Sequence, residues 1–414
     1  MNDKYLPNSN TFAQMASKTI LNKTELSREC LYENDLWLRK MDLNNNIQYI
    51  HCKDSLLETI YGNIYKGILI DSNDINDYFK YGHNQNDDDN NGIVAPLNSD
   101  DRSSKENVQD PSSISTNHHS PTNEPTQKKT QRITIGKQVI IKSFHRISVE
   151  QKKHYRNHMN IQENPYQEME TILTLNEQQF QHVPILHGIW LSNEWFYCIL
   201  EDCGIDLYEY TNNLLYSTPT STKKLKKQSI QMIFHQLISI IVELYEKHHL
   251  SHGDLSLENI CINPNTGIIK IIDFGLCKKA YLGGIQLSKL INETSIMDNF
   301  SRTGKYIYMS PEKYYATHAK GFNSIQNDVW SLGIVFYILC TQRIPYNDPM
   351  KMDFLSLMNI LQNIHIVDHH MHYKQLKETI GDNGIDLLQQ MLHCTTYKRI
   401  ALCDILQHDY FCKG

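Results

Sequence analysis

Two polar runs in the C-terminal half carry residue types that could do chemistry together. The first, His252-Gly-Asp-Leu-Ser-Leu-Glu-Asn259, sets a carboxylate five residues ahead of an amide; the second, Asp273-Phe-Gly275, begins fourteen residues after Asn259. Between them, the short apolar runs Ile260 to Ile262 and Ile268 to Ile272 flank the turn sequence Asn263-Pro-Asn-Thr-Gly267 and so predict a hairpin. Such a hairpin brings Asp254, Asn259 and Asp273 to one edge. Three hard-oxygen side chains gathered there suit Mg2+ and a phosphate-bearing substrate. Either run alone is explained as well by loop polarity beside a helix end; the two at this spacing are not.

The elements that must position these groups fall in two stretches. Ile47 to Ile70 alternates β-branched and aromatic residues with polar ones around Gly62 and Gly67, which predicts strand, turn and strand, and Ile133 to Phe144 predicts another strand. Beyond Asn164 the period lengthens. Apolar residues at 230, 233, 234, 237, 238, 241, 244 and 245 follow helical spacing and predict one amphipathic helix from Gln228 to His249. Gln326 to Phe411 reads as further helices. Its longest apolar stretch, Val329 to Cys340, is too short for a bilayer, which takes roughly 20 residues, so a buried helix is expected. Strands first, then helices around one buried hairpin, describe an α+β fold.

Composition narrows the function classes. The chain has 414 residues, 40% hydrophobic and 21% charged, enough for two globular domains or one two-lobed domain with additions. Lys and Arg total 40 against 46 Asp and Glu, a net charge of −6 without the basic footprint of a nucleic-acid binder, so no nucleic-acid partner is expected. Ten cysteines with no Cys-x-x-Cys pair, behind a polar N-terminus with no leader-like apolar run, point to reduced core thiols. A cytoplasmic chain without membrane association is expected, a nuclear location being the alternative left open. From Gly82 to Arg132 there is no Phe, Trp or Tyr, and residues 76–131 are expected to be a disordered insert, unable to bury enough apolar surface to offset ordering entropy. His365, His369, His370 and His372 lack Cys or carboxylate companions at ligand spacing and read as a solvated helix face rather than a zinc site; the Lys223-Lys-x-Lys-Lys227 run reads as a solvated loop.

The run at 252–259 matches the protein kinase catalytic loop His-Arg-Asp-Leu-x-x-x-Asn at His252, Asp254, Leu255 and Asn259, and 273–275 matches its Asp-Phe-Gly; the chain resembles that family. Ser310-Pro-Glu312 resembles Ala-Pro-Glu, Asp328-x-Trp-Ser-x-Gly333 resembles the start of the family's buried central helix, and Lys398-Arg399 with His408-x-Tyr-Phe411 resembles its last helices. The resemblance spans Ile47 to Cys412 outside the insert, leaving 1–46 as an N-terminal extension. It implies a two-lobed fold, with a small β-rich N-lobe and a large helical C-lobe. It further implies ATP and Mg2+ as cofactors, a protein substrate phosphorylated on Ser or Thr, and a monomer.

Carried over residue by residue, the resemblance gives Asp254 the task of orienting the substrate hydroxyl and accepting its proton, while Asn259 and Asp273 hold Mg2+. Lys142, in Val139-Ile-Ile-Lys142, would contact the α and β phosphates, with Glu168 as its partner on the next helix and Glu170 as a rival. Ile199-Leu-Glu-Asp202 would be the hinge that meets adenine, with Leu200 as gatekeeper, Glu201 and Cys203 lining the nucleotide and Asp206 near the ribose. Glu312 and Arg399 would form a buried ion pair in the large lobe.

Three departures from the pattern bear on function. Tyr61-Gly-Asn-Ile-Tyr-Lys-Gly67 resembles the end of the glycine-rich loop, which puts Gly62 at the third glycine and Leu57 and Thr59 at the first two. Gly253 replaces the Arg that pairs with a phosphorylated activation loop, so phosphate on Ser301 or Thr303 loses its usual partner and control by other means is expected. Ser256 stands where Ser/Thr kinases carry Lys, and Lys305 where they carry Thr, a functional exchange in which the Lys305 ammonium takes the missing place. These paired changes, with the poor glycine loop and Asn-rich surroundings, resemble the FIKK-type kinases of apicomplexan parasites. The rival reading is a nucleotide-binding scaffold, favoured by the lost glycines and opposed by retention of Lys142, Asp254, Asn259 and Asp273.

Overall fold

The computed structural model describes residues 26–32, 35–41, 47–59, 62–71, 73–74, 94–95, 133–134, 136–148, 165–192, 194–216, 225, 227–279, 297–298, 304–315, 322–345 and 373–412. The histidines at 365–372 and Lys223, Lys224 and Lys226 lie outside these residues.

Alternating apolar residues build the N-terminal sheet. Its strands are β1 (Leu26–Tyr32), β2 (Asp35–Met41), β3 (Ile47–Glu58) and β4 (Asn63–Asp71), and, past the short pair β5 (Val94–Ala95) and β6 (Ile133–Thr134), β7 (Lys137–His145), β8 (Leu186–Leu191) and β9 (Trp195–Glu201). Seven of them form one sheet in the order β1-β2-β3-β4-β7-β9-β8, each neighbour antiparallel. The sheet therefore includes strands from the stretch read as an N-terminal extension. β1 and β2 continue the sheet, and Leu38, fully buried, packs with Ile50, Cys52, Val139, Ile141 and Ile199. Without β2, the long β3 would present an unpaired edge. The insert lies outside the described residues except for Val94–Ala95, which pairs with Ile133–Thr134 at its far end.

Behind the sheet, α1 (Pro165–Glu177) starts with Pro, whose missing N–H is no loss in a first turn, and carries Glu168 near its positive end. It buries Met169, Ile172, Leu173 and Leu175, and this turns Glu168 inward as well.

The C-terminal region is assembled around two long helices. After β10 (Ile205–Asp206) and α2 (Leu207–Tyr216), α3 (Lys227–Glu246) buries Ile230, Ile233, Phe234, Leu237, Ile238, Ile241 and Leu244, the predicted stripe. Then come β11 (Leu250–Ser251), β12 (Ile260–Ile262), β13 (Ile269–Ile271), β14 (Lys278–Lys279), β15 (Met297–Asp298), α4 (Pro311–Tyr314) and β16 (Phe322–Asn323). Next, α5 (Ser324–Thr341) is buried along its whole length; Asn323 caps it by accepting from the amides of Ile325 and Gln326. Phe234 of α3 stacks on Phe336 of α5 with ring centroids 4.2 Å apart. A Cβ at Gly333 would come within 2.8 Å of Leu392, so glycine lets α5 approach the chain after α6 (Tyr373–Met391), a helix broken at Gly381 and followed by α7 (Asp409–Cys412).

Arg399 closes this region. Its guanidinium donates to both carboxylate oxygens of Glu312 (2.5 and 3.0 Å) and to the Gln326 carbonyl (2.6 Å), the pair expected from the sequence. Among the described cysteines, six are buried free thiols, but Cys403 and Cys412 are exposed, because they fall on short C-terminal turns rather than on the core helices. Among the described residues no helix is long and apolar enough to cross a membrane.

If β2 is part of the N-terminal core, Leu38→Ala removes a fully buried side chain and should lower stability by about 2–5 kcal/mol. Urea denaturation followed by fluorescence measures this; a variant matching the parent would return residues 26–41 to a detachable appendage.

Candidate active site

The site is built on backbone held by one buried carboxylate. Where β11 ends, the amides of His252 and Gly253 donate to the two oxygens of Asp328 on α5, at 2.7 and 2.9 Å. The His252 ring contacts the Ile272 carbonyl through Nε2 (3.1 Å) and meets the buried Phe274 ring edge-on, 5.1 Å between centroids. The chain then turns through Leu257–Asn259, and Asn259 Nδ2 donates to the Asp254 carbonyl (2.8 Å) and to its carboxylate Oδ2 (3.1 Å). Ile272 N–H donates to the Asn259 carbonyl (3.0 Å), while β12 and β13 pair Ile260 with Ile271. The predicted hairpin thus joins Asp254 and Asn259 directly and delivers Asp273 just past the end of β13. Asp273 itself has φ +65°, a left-handed conformation uncommon outside glycine.

From the sheet, Lys142 of β7 reaches Glu168 of α1 in an ion pair; Glu168, not Glu170, is the partner. Both side chains are nearly enclosed. Burial alone would lower the Lys142 pKa, but the charges of Glu168 and Asp273 outweigh it and hold the ammonium well above the usual lysine range. Burial works to raise the Asp273 carboxyl, yet Lys142, His252, the Gly275 amide and Lys305 together bring it below the ordinary carboxylate value. Gln167 of α1 also donates to the Cys277 carbonyl, tying the helix to the chain beyond Gly275.

At the far end of the sheet, Leu200 is buried in β9 opposite Ile140 and Leu186. Glu201 accepts from Lys270 Nζ of β13 (2.5 Å) and from the Ile185 amide (2.9 Å), so its carboxylate is occupied by protein groups. Asp202 pairs with Lys66 of β4 at 3.1 Å. Cys203 points its thiol at the Glu201 carbonyl (3.7 Å), and burial pushes that thiol far above its normal pKa. Asp206 accepts from the Glu209 amide (2.7 Å) and so caps α2; burial raises its carboxyl. Sequence reading does not anticipate Lys66 or Lys270, since a lysine on a strand gives no sign of which carboxylate faces it.

The structure brings Lys305 and Ser256 together. Lys305 Nζ donates to Ser256 Oγ (2.6 Å) and to Asn259 Oδ1 (3.2 Å) and lies 3.5 Å from Glu258 Oε2; its backbone amide donates to Asp254 Oδ1 (3.0 Å). Ser256 is fully buried beneath this contact.

Gly62 lies in a tight turn beside β7. Its amide donates to Thr59 Oγ1 (3.1 Å) and Thr59 N–H returns to the Gly62 carbonyl (2.6 Å), closing a tight turn on itself. A Cβ at 62 would lie 2.0 Å from the Ser143 carbonyl oxygen of β7. Glycine is needed there for strand packing, and its amide is bonded to Thr59 rather than turned to a phosphate. Leu57, at an expected glycine position, is an exposed strand residue opposite Ile64.

The donor set fits a hard divalent ion brought with phosphates. Such an ion takes one or two protein oxygens and completes its shell with water and phosphate, and Asn259 Oδ1 and Asp273 are the oxygens on offer.

Comparison with known proteins bears on the same residues. The family model of the protein kinase domain matches residues 127–411. Calcium-dependent protein kinase 4 of Plasmodium falciparum is 27% identical over 269 residues, 64% of this chain and 44% of that protein. The carbon catabolite-derepressing protein kinase of Candida glabrata is 27% identical over 232 residues (56% and 32%), and the serine/threonine-protein kinase cds1 of Schizosaccharomyces pombe 27% over 226 residues (54% and 43%). The chain thus spans less than half the length of each. The matched family segment begins at residue 127, so the first five strands and most of the insert precede it.

A carboxyl lowered in the folded state stabilises above its unfolded pKa, and that contribution is lost as pH falls through the folded value. For Asp273 the gap in melting temperature between wild type and Asp273→Asn should therefore stay constant from pH 7 to 5 and narrow only below about pH 4. Melting curves across that range check it; a gap already closing near pH 6 would mean a raised carboxyl instead.

Proposed function

The chain belongs to the protein kinase family, and we propose from that membership that it transfers the γ-phosphoryl group of ATP to Ser or Thr hydroxyls of protein substrates, with Mg2+ as the accompanying ion. The observation that carries the reading is the fixed carboxylate of Asp254. Asn259 holds one oxygen and the Lys305 amide the other, so the group is aimed before any substrate arrives.

In this reading Asp254 accepts the hydrogen bond of the incoming hydroxyl and takes its proton as the oxygen attacks phosphorus in line. Lys142, kept charged by Glu168, binds the α and β phosphates. Asn259 and Asp273 would hold Mg2+, which when bound neutralises phosphate charge. Lys305 supplies a cation beside Ser256 and Asn259, and this limits the repulsion of Asp254, Asp273 and phosphate in one small space. The relative named as a serine/threonine-protein kinase supports a hydroxyl of that class, and the Ser256–Lys305 contact supports the finer likeness to FIKK-type kinases. The Thr59–Gly62 turn favours weak closure over the phosphates, so a high KM for ATP accompanies the proposal.

Asp254→Asn should lower turnover of ATP and a generic protein substrate by about a hundredfold or more, while the nucleotide-induced melting shift persists. A wild-type protein that binds nucleotide but transfers no phosphate to any protein would instead make it a scaffold. Lys305→Thr should cut turnover about tenfold, and adding Ser256→Lys should restore part of it, with a coupling energy above about 0.5 kcal/mol. Strictly additive losses in that cycle would separate the two residues functionally.

A further inference from the structure

Gly253 lies where the family's loop-anchoring arginine would stand, and its backbone leaves no easy room for a side chain. Its φ is +81°, and a Cβ there would sit 2.6 Å from the Leu276 carbonyl oxygen. Its amide is bonded to Asp328. Its carbonyl accepts from Lys313 Nζ at 2.7 Å.

Lys313 is 3% exposed, a rare state for lysine, whose charge loses several kcal/mol of hydration when buried and so must be compensated. The compensation is in place. The ammonium lies 5.7 Å from the face of Phe322, and its charge reaches the buried Asp328 carboxylate. Its helix α4 cannot drift: Ser310 caps it through the Lys313 amide, Asn327 Oδ1 accepts from Ser310 N–H (3.1 Å), and Glu312 is clamped by Arg399. A Cβ at Gly304 would meet Asp254 Oδ1 at 2.6 Å and Lys313 Nζ at 3.5 Å. Carboxylate, ammonium and the loop backbone therefore face one gap.

We propose that Lys313 is a built-in positioning cation that holds the loop ending in Ser310-Pro-Glu312 against the catalytic loop, so that turnover does not require phosphate on that loop. The inference rests on the phosphoryl-transfer reading above. An arginine at 253 would bind an anion that has first to be added to the loop. A lysine on the Gly253 carbonyl has a partner that is always present. Held so, the loop keeps the Lys305 amide on Asp254 and the Lys305 ammonium beside Ser256.

The test uses the full chain, ATP and dephosphorylated casein. Wild type stripped by phosphatase, with removal verified by intact mass, should keep turnover within about twofold of the untreated protein. Lys313→Met should lower kcat about tenfold or more, with KM for ATP within about threefold and the nucleotide-induced melting shift intact. It should also speed hydrogen exchange at the Lys305 amide while leaving amides in the middle of α5 unchanged. Loss of wild-type turnover on phosphatase treatment overturns the inference, and that arm decides even if Lys313→Met does not fold. So does a Lys313→Met protein with unchanged kcat and unchanged exchange at Lys305. If wild type transfers no phosphate at all, the kinase reading fails, and exchange at Lys305 still reports whether Lys313 holds the loop.

Discussion

The arrangement hangs on Asp328, a carboxylate inside a helix with no exposed face. A charge so placed must be met by donors, and two consecutive amides, of His252 and Gly253, meet it. Burial pushes the carboxyl up while His252, the amides and Lys313 pull it back. Because the acceptor sits on α5, a helix buried along its whole length, the catalytic loop inherits its position from the core. Asp254 is two residues on, Asn259 bridges back to it, and Ile272 continues the connection to Asp273. Moving any of these means moving α5 or leaving a buried charge unpaired.

Lysines then set the spacing between the parts. Lys142 ties sheet to helix through Glu168, Lys270 ties the hinge strand to the hairpin through Glu201, and Lys305 and Lys313 tie the later loop to the catalytic loop. Buried ion pairs add little net stability against an apolar replacement, because desolvation cancels much of the attraction. Their value is directional. Each fixes a distance between elements that apolar packing alone would leave free to slide.

Much of this could be read from the sequence where local pattern and chemistry coincide. The runs at 252–259 and 273–275 bring their own turn and strand signals, and the α3 stripe and buried α5 follow from apolar periodicity. Glu168 follows from the spacing that the family resemblance implies, with Glu170 left as a rival until the fold shows which carboxylate meets Lys142. The strands at 26–41 are harder to see. Leu36 and Leu38 alternate with Trp37 and Arg39, and the two residues between β1 and β2 have hairpin length, but neither Gly nor Pro marks the turn. Lys313 is invisible for a different reason: a lysine beside Pro and Glu defaults to solvent, and only the fold shows the carbonyl that draws it inward. At Gly62 one glycine can serve phosphate approach or strand packing, and nothing local in the sequence points to the Ser143 carbonyl that packs against it.

The departures from the family pattern share a feature that bears on whether the site works. Degeneration would leave polar groups stranded where partners were lost, each costing about 1–3 kcal/mol if buried. Here three of the altered positions have partners within the chain: the Thr59 hydroxyl has the Gly62 backbone, the Gly253 carbonyl has Lys313, and the Ser256 hydroxyl has Lys305. The last two contacts come from one loop, and the same loop places a backbone amide on Asp254. Residues that depend on one another in this way hold a single geometry, and the geometry they hold in common is that of Asp254.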